Sequence, residues 1–176
     1  MSRILTFGVY DYFHLGHLRS FQQCKAYADH LTVAVQDGEY ILKYKPSANV
    51  LYSTEQRVEI ISALRIVDEV VVYRSVCEET LESIDFDILA LGEDHVGERF
   101  TAVENWCRAH GKQVVRLKRT PGISSTDIKS ELGSARHDAV NTGAGQVLAD
   151  PFKELEIENG KKRGIAKNEP GGEAVQ

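Results

Sequence analysis

Residues 4–17 read Ile4-Leu5-Thr6-Phe7-Gly8-Val9-Tyr10-Asp11-Tyr12-Phe13-His14-Leu15-Gly16-His17. Ile4 to Phe7 is a short apolar run that stops at Gly8, the pattern of a strand buried on both faces. Gly16 to Ala28 carries Leu18, Phe21 and Ala28 on one face and reads as a helix. The same alternation then continues. Leu31 to Val35, Glu69 to Tyr73, Phe86 to Leu91 and Gln113 to Leu117 read as four further strands. A helix opens at Ser53, where Ser53 and Gln56 stand at capping-box spacing ahead of Ile60, Ile61 and Leu64. Others are predicted over Glu78 to Ile84, Phe100 to Ala109 and Ser125 to Leu132, the last stopped by Gly133.

Short strands alternating with helices predict βαβ units and a parallel sheet. Crossovers of that kind are right-handed, which makes the expected fold an α/β, Rossmann-like, doubly wound five-stranded sheet. Of the 14 aromatic residues, 13 lie in residues 1–132, while residues 133–176 hold half of the 14 glycines. Too little apolar surface remains there to offset the entropy of ordering. A domain is therefore expected over 1–132 and a poorly packed, flexible C-terminal extension over 133–176. Within the extension, Phe152 to Ile157 alternates ahead of Asn159-Gly160, which reads either as a hairpin or as a solvated tail.

The formal net charge of −5 argues against a nucleic-acid partner, which calls for a basic footprint. The three cysteines form no C-x-x-C pair and no zinc spacing, so packing is their expected role. No apolar run approaches the ~20 residues of a membrane span, and the amino terminus lacks a signal-peptide pattern. A cytoplasmic protein is expected.

In a doubly wound sheet, ligands bind beyond the carboxyl ends of the strands, so the residues that follow each strand carry the functional reading. After the first come His14 and His17, three apart at a helix start and hence on one face. Free N–H groups and the dipole favour an anion there, and Gly16 permits close approach to the backbone. A metal pair or two core histidines are the alternatives. The stretch after the second strand holds Lys43 and Lys45, reaching a ligand or merely solvated, and the next helix holds Arg57 and Arg65, eight apart. After the fourth comes Asp94, suited to a base, a ribose, a divalent cation or simply a turn. After the fifth comes Arg119-Thr120-Pro121-Gly122-Ile123-Ser124-Ser125-Thr126, with more hydroxyls than one N-cap requires. These features gather cations and hydroxyls in one crevice of an acidic protein, which focuses an anionic ligand. No G-x-G-x-x-G and no Walker lysine motif is present.

His14-Leu15-Gly16-His17 matches the H-x-G-H signature of the nucleotidyltransferases, and Arg119 to Thr126 resembles the R-T-x-G-I-S-T-T signature of the cytidylyltransferases. The resemblance runs from about Arg3 to Leu132 and is strongest to the glycerol-3-phosphate enzymes. It implies transfer of CMP from CTP to a small phosphomonoester, with pyrophosphate released, Mg²⁺ accompanying the triphosphate, and a homodimer. It implies catalytic roles for His14, His17, Lys43, Lys45 and Arg119. Nucleotide contacts would come from Thr6, Phe7, Gly8, Asp11, Gly16, Asp94, Arg119, Thr120, Ser124 and Ser125. The acceptor phosphate would meet Lys43, Lys45, Arg57 and Arg65, and no resident metal site is implied. Ser125 replaces the first threonine of the usual pair, the stretch from Lys45 to Arg57 is a few residues longer than in the short glycerol-phosphate enzymes, and the extension has no counterpart there. An adenylyltransferase acting on heptose phosphate or flavin mononucleotide is the second reading, and a non-catalytic nucleotide-binding module the third.

Overall fold

The computed structural model describes the backbone of residues 1–142 and the side chains of residues 1–133. Each apolar strand run divides its side chains between two faces, as the two-residue period of a strand requires. In β1 (Arg3–Gly8), Ile4 joins one core, and Leu5 and Phe7 join the other. In β4 (Ile88–Gly92), Ile88 and Ala90 face one way, and Leu89 and Leu91 the opposite way. With β2 (His30–Gln36), β3 (Glu69–Tyr73) and β5 (Gln113–Leu117) these form one sheet in the order β3-β2-β1-β4-β5. All four pairings are parallel, with Thr6 of β1 level with Val33 of β2 and Ala90 of β4.

Helices cover both faces. Phe21 and Cys24 of α1 (Leu15–Lys25) and Ile61 of α3 (Thr54–Ser62) fill one core. Leu81 of α4 (Glu78–Glu82), with Val103, Trp106 and Cys107 of α5 (Glu98–Ala109), fills the other. The buried Cys24 and Cys107 are packing residues, as expected, whereas Cys77 is exposed ahead of α4 and is not. The capping box at Ser53 is formed: Gln56 N–H donates to Ser53 Oγ at 3.2 Å, and Ser53 N–H to Gln56 Oε1 at 3.0 Å.

The sequence pattern missed one helix and misplaced the end of another. The segment after β2 holds α2 (Gly38–Tyr44), capped by Asp37, whose carboxylate accepts from Glu39 N–H at 2.9 Å. Its only buried residue is Ile41, so it carries too little apolar periodicity to be seen. The last helix, α6 (Ser125–Thr142), does not stop at Gly133. That glycine is not in the left-handed conformation a C-terminal stop needs, and glycine inside a helix costs only about 1 kcal/mol. Beyond residue 142, the extension expected over 133–176 lies outside the described residues. Among the described residues, no helix is long and apolar enough to cross a membrane.

The chain builds β1, β2 and β3 outward in one direction, then returns past β1 to add β4 and β5. The crossovers leave β1 and β4 toward opposite faces, opening a crevice at their carboxyl ends.

Candidate active site

A cleft of about 510 Å³ occupies that crevice. Its floor is the end of β1, where Thr6, Phe7 and Gly8 line it. The chain then turns sharply through Tyr10 (φ 56°) and Tyr12 (φ 51°), two non-glycine residues in the left-handed region. Such strain persists only where the surroundings over-determine it. Here the Tyr10 ring is buried against Phe21 and His17. A Cβ on Gly8 would lie 2.6 Å from that ring, so glycine is needed for the turn.

His14 and His17 come together as their spacing predicts. His14 is the N-cap of α1, and its Nδ1 accepts from Gly16 N–H at 3.0 Å. That bond fixes the tautomer, leaving the proton of the neutral ring on Nε2. The His17 ring stacks on His14 at 3.9 Å and lies 5.6 Å from Phe13 on its other side. Burial, then the charge of His14, pushes the His17 pKa down to about 4. Burial and then Arg119 lower that of His14. Both rings are therefore neutral near pH 7 in the free protein and act as hydrogen-bond donors rather than fixed cations. His17 Nδ1 is buried without a partner, and leaving a lone pair unmet is less costly than burying an unpaired N–H, so its proton also belongs on Nε2. A Cβ on Gly16 would fall 2.8–2.9 Å from the His14 ring, which explains the glycine between the histidines.

Facing α1 is the start of α6. Ser124 Oγ accepts from Asp127 N–H at 3.1 Å and donates to the Asp127 carboxylate, a complete N-cap. Ser125 Oγ donates to the Asp11 carbonyl at 3.1 Å, tying α6 to the β1 turn. Two helix N-termini thus open onto one cleft, each favouring an anion. Thr120, Arg119 and Asp94 line the same side. Arg119 is held through its backbone N–H, which donates to Glu93 Oε1 at 3.0 Å, while its guanidinium stands 3.8 Å from Asp94. Among the described residues the lining holds four cations, Lys45, Lys118, Arg119 and Lys129, against two carboxylates, Asp11 and Asp94. The local sign is opposite to the protein's net charge of −5, so a polyanion is drawn to this one place.

Three expected residues lie away from the cleft lining, and a fourth lines it with its carboxylate committed to backbone. Arg57 does not face the cleft. Its guanidinium is fully buried and donates to the carbonyls of Val9 and Gln36 at 2.7 Å each, to Tyr52 O at 3.2 Å and to Thr54 Oγ1 at 3.3 Å. It binds backbone from three segments, uses four of its five N–H groups within the fold, and does not line the cleft. Arg65 shares no helix with it, because α3 ends at Ser62, and it does not line the cleft. Lys43 sits in the last turn of α2, exposed beside the Tyr44 ring and outside the lining, whereas Lys45 lines it. Asp11 is at the cleft but only 5% exposed, and its two oxygens accept from Leu51 N–H at 3.0 Å and Tyr52 N–H at 3.1 Å. It shapes the wall formed by the α2–α3 loop.

Several cleft residues escaped the sequence reading, among them Lys118, His95 and Lys129. His95 lines the cleft with its ring stacked on Phe100 at 4.7 Å and its Nδ1 accepting from Gly92 N–H at 3.2 Å. Lys129 lies four residues beyond Ser125, hence on the same face of α6, and that spacing was the available signal.

Residues 5–131 match the family model described as cytidylyltransferase-like. The chain is 36% identical over 135 residues to a glycerol-3-phosphate cytidylyltransferase of Staphylococcus aureus, covering 75% of this chain and 96% of that one. It is 33% identical over 134 residues to the Bacillus subtilis enzyme of the same name, covering 75% and 98%. Among solved structures, a lipopolysaccharide core biosynthesis protein from Thermoplasma volcanium has the same fold, with a TM-score of 0.57 at 23% identity over 68% of this chain and 97% of that one. The family match takes in both the His14–His17 turn and the Arg119–Thr126 helix start, and the chain belongs to the cytidylyltransferase-like family.

Proposed function

We propose that the protein transfers CMP from CTP to glycerol 3-phosphate, releasing pyrophosphate and forming CDP-glycerol. The observation that carries this reading is the near end-to-end match to two glycerol-3-phosphate cytidylyltransferases, in a chain that sets both signature helix starts around one basic cleft. Residues 1–132 form the catalytic domain in this reading. The homodimer and cytoplasmic location that go with the family resemblance belong to the same proposal.

An oxygen of the acceptor phosphate attacks the α-phosphorus, the bond to the α–β bridging oxygen breaks, and pyrophosphate leaves. A phosphomonoester has its second pKa near ~6 and arrives mostly dianionic, so no general base is required. The work of the protein is to hold two anions in line and to meet the charge that develops. His14 and His17 donate Nε2–H to the triphosphate. The N-terminus of α6, Thr120 and Arg119 hold the nucleotide, with Ser124 and Ser125 fixing the helix start. Asp94 faces the ribose or base, and Lys45 approaches the phosphates from the α2 side.

Among the described residues there is no cluster of three or more metal-ligating side chains. Mg²⁺ typically takes its ligands from phosphates, water and one or two carboxylates, so the residues present suit an ion carried in with CTP. Such an ion would supply positive charge to offset that of the pyrophosphate.

Pyrophosphate release with Mg²⁺, each nucleoside triphosphate and a panel of phosphomonoesters tests the proposal. CTP with glycerol 3-phosphate should give pyrophosphate and CDP-glycerol in equal amounts. Release with ATP alone, or none with CTP and glycerol 3-phosphate, refutes it.

A further inference from the structure

The acceptor brings a dianionic phosphate, yet two of the cations expected to meet it are elsewhere. Arg57 is spent on backbone carbonyls, and Arg65 lies outside the cleft lining. The cations that do line the cleft fall into two groups. Lys118 and Arg119 follow β5 on the nucleotide side. Lys45 and Lys129 stand by the α2–α3 loop, where Ala48, Asn49 and Val50 complete the wall. We propose that Lys129, with Lys45, binds the phosphate of the acceptor and shields it from the carboxylate of Asp11. This rests on the cytidylyltransferase reading and names a residue for its second substrate.

Three observations carry the proposal. The first is unused donor capacity. Lys129 Nζ donates to Asn49 O at 2.7 Å and lies 4.9 Å from the centre of the Tyr12 ring. It stands 3.7 Å from Asp11 Oδ2, beyond hydrogen-bond length, and that oxygen already accepts from Leu51 N–H. An ammonium has three N–H groups, so donors remain for a ligand in the cleft that Lys129 lines.

The second is charge. Asp11 is a nearly buried carboxylate in the cleft lining, where it would repel an incoming dianion. Lys129 is the ammonium beside it. Removing that ammonium loses a ligand to the phosphate and also uncovers a like charge. The third is reach. Lys129 sits one helical turn past Ser125, and a turn is about 5.4 Å. Attacking oxygen and phosphorus must approach to about 3–3.5 Å, so the acceptor must sit beside the nucleotide, and Lys129 lines the same cleft as that helix start.

The test compares wild type with Lys129→Gln and Lys129→Arg. Lys129→Gln should raise KM for glycerol 3-phosphate by roughly tenfold to a hundredfold, the worth of one charge-assisted contact. KM for CTP and the melting temperature should stay nearly unchanged, and Lys129→Arg should restore most of the acceptor affinity. An unchanged acceptor KM overturns the proposal. Equal rises in both KM values accompanied by a lower melting temperature also overturn it, because they make Lys129 a tether for Asn49 alone. Calorimetry with inorganic phosphate, added to the CTP-saturated protein in chelator, separates this proposal from the reaction itself. Weaker phosphate binding in Lys129→Gln supports the subsite even if turnover fails, and equal binding in the two proteins refutes it whatever the turnover.

Discussion

Replacing His17 by asparagine should flatten the acid limb of the protein's stability. The ring is enclosed by His14, Phe13 and Tyr10, and burial is the main cause of its fall from an ordinary pKa of 6.5 to about 4. Above pH 6.5 the ring is neutral in both folded and unfolded chains and adds no pH dependence. Between 6.5 and 4 the unfolded chain takes up a proton that the folded protein refuses, so stability falls as pH falls. The full difference is about 3 kcal/mol, reached below pH 4, and at pH 5 it is about 2 kcal/mol. Urea unfolding at about pH 7.5 and about pH 5 measures it, taken as the loss in wild type minus the loss in His17→Asn. Carboxylates and the remaining histidines titrate in both proteins and largely cancel. Wild type should lose about 2 kcal/mol more than the variant. Equal losses within about 0.5 kcal/mol would mean that His17 is hydrated and protonates freely, and the neutral-donor reading of the histidine pair would be wrong.

Three other substitutions probe the site. Arg57→Met strands the carbonyls of Val9, Gln36 and Tyr52 and should cost about 3–5 kcal/mol, lowering the melting temperature by about 10 °C. Arg57→Lys should recover little, because one ammonium cannot span those acceptors, and a near-native melting curve for Arg57→Met would show that the buried fork is dispensable. Gly16→Ala drives a methyl into the His14 ring and should cut turnover about a hundredfold with little loss of helix stability, so near-normal turnover would show that the ring can move aside. Lys45→Ala should lower kcat/KM at least about tenfold, while Lys43→Ala should stay within about threefold, since only Lys45 lines the cleft. Equal losses in the two variants would place Lys43 in the cleft during turnover.

What the sequence made legible was local. The strands could be read because residues buried on both faces appear as uninterrupted apolar runs, as in Ile88 to Leu91. The His14–His17 pair could be read because three-residue spacing at a helix start decides which side chains meet. Helix α2 was hidden by its single buried residue. Arg57 was misread for a different reason. A guanidinium looks the same in sequence whether it meets phosphate or carbonyls, and the carbonyls it meets belong to residues 48, 21 and 5 positions away. The backbone partners of Asp11 were hidden likewise, since Leu51 and Tyr52 lie 40 and 41 positions on.

Arg57 and Asp11 together anchor the loop between α2 and α3. Asp11 accepts from the backbone N–H groups of Leu51 and Tyr52, and Arg57 donates to the carbonyl of Tyr52. The α2–α3 loop is therefore gripped by its backbone, from the β1 turn on one side and from α3 on the other. No side chain of residues 46–50 takes part in that grip, and Ala48, Asn49 and Val50 still line the cleft. Substitutions there would reshape that wall without breaking an anchoring bond, whereas changes at Gly16, Ser124 or Ser125 would disturb the starts of α1 and α6. Residues 46–50 are thus a part of the cleft wall whose side chains can vary without loss of those bonds. Acceptor preference should follow residues 46–50, and CTP affinity should not.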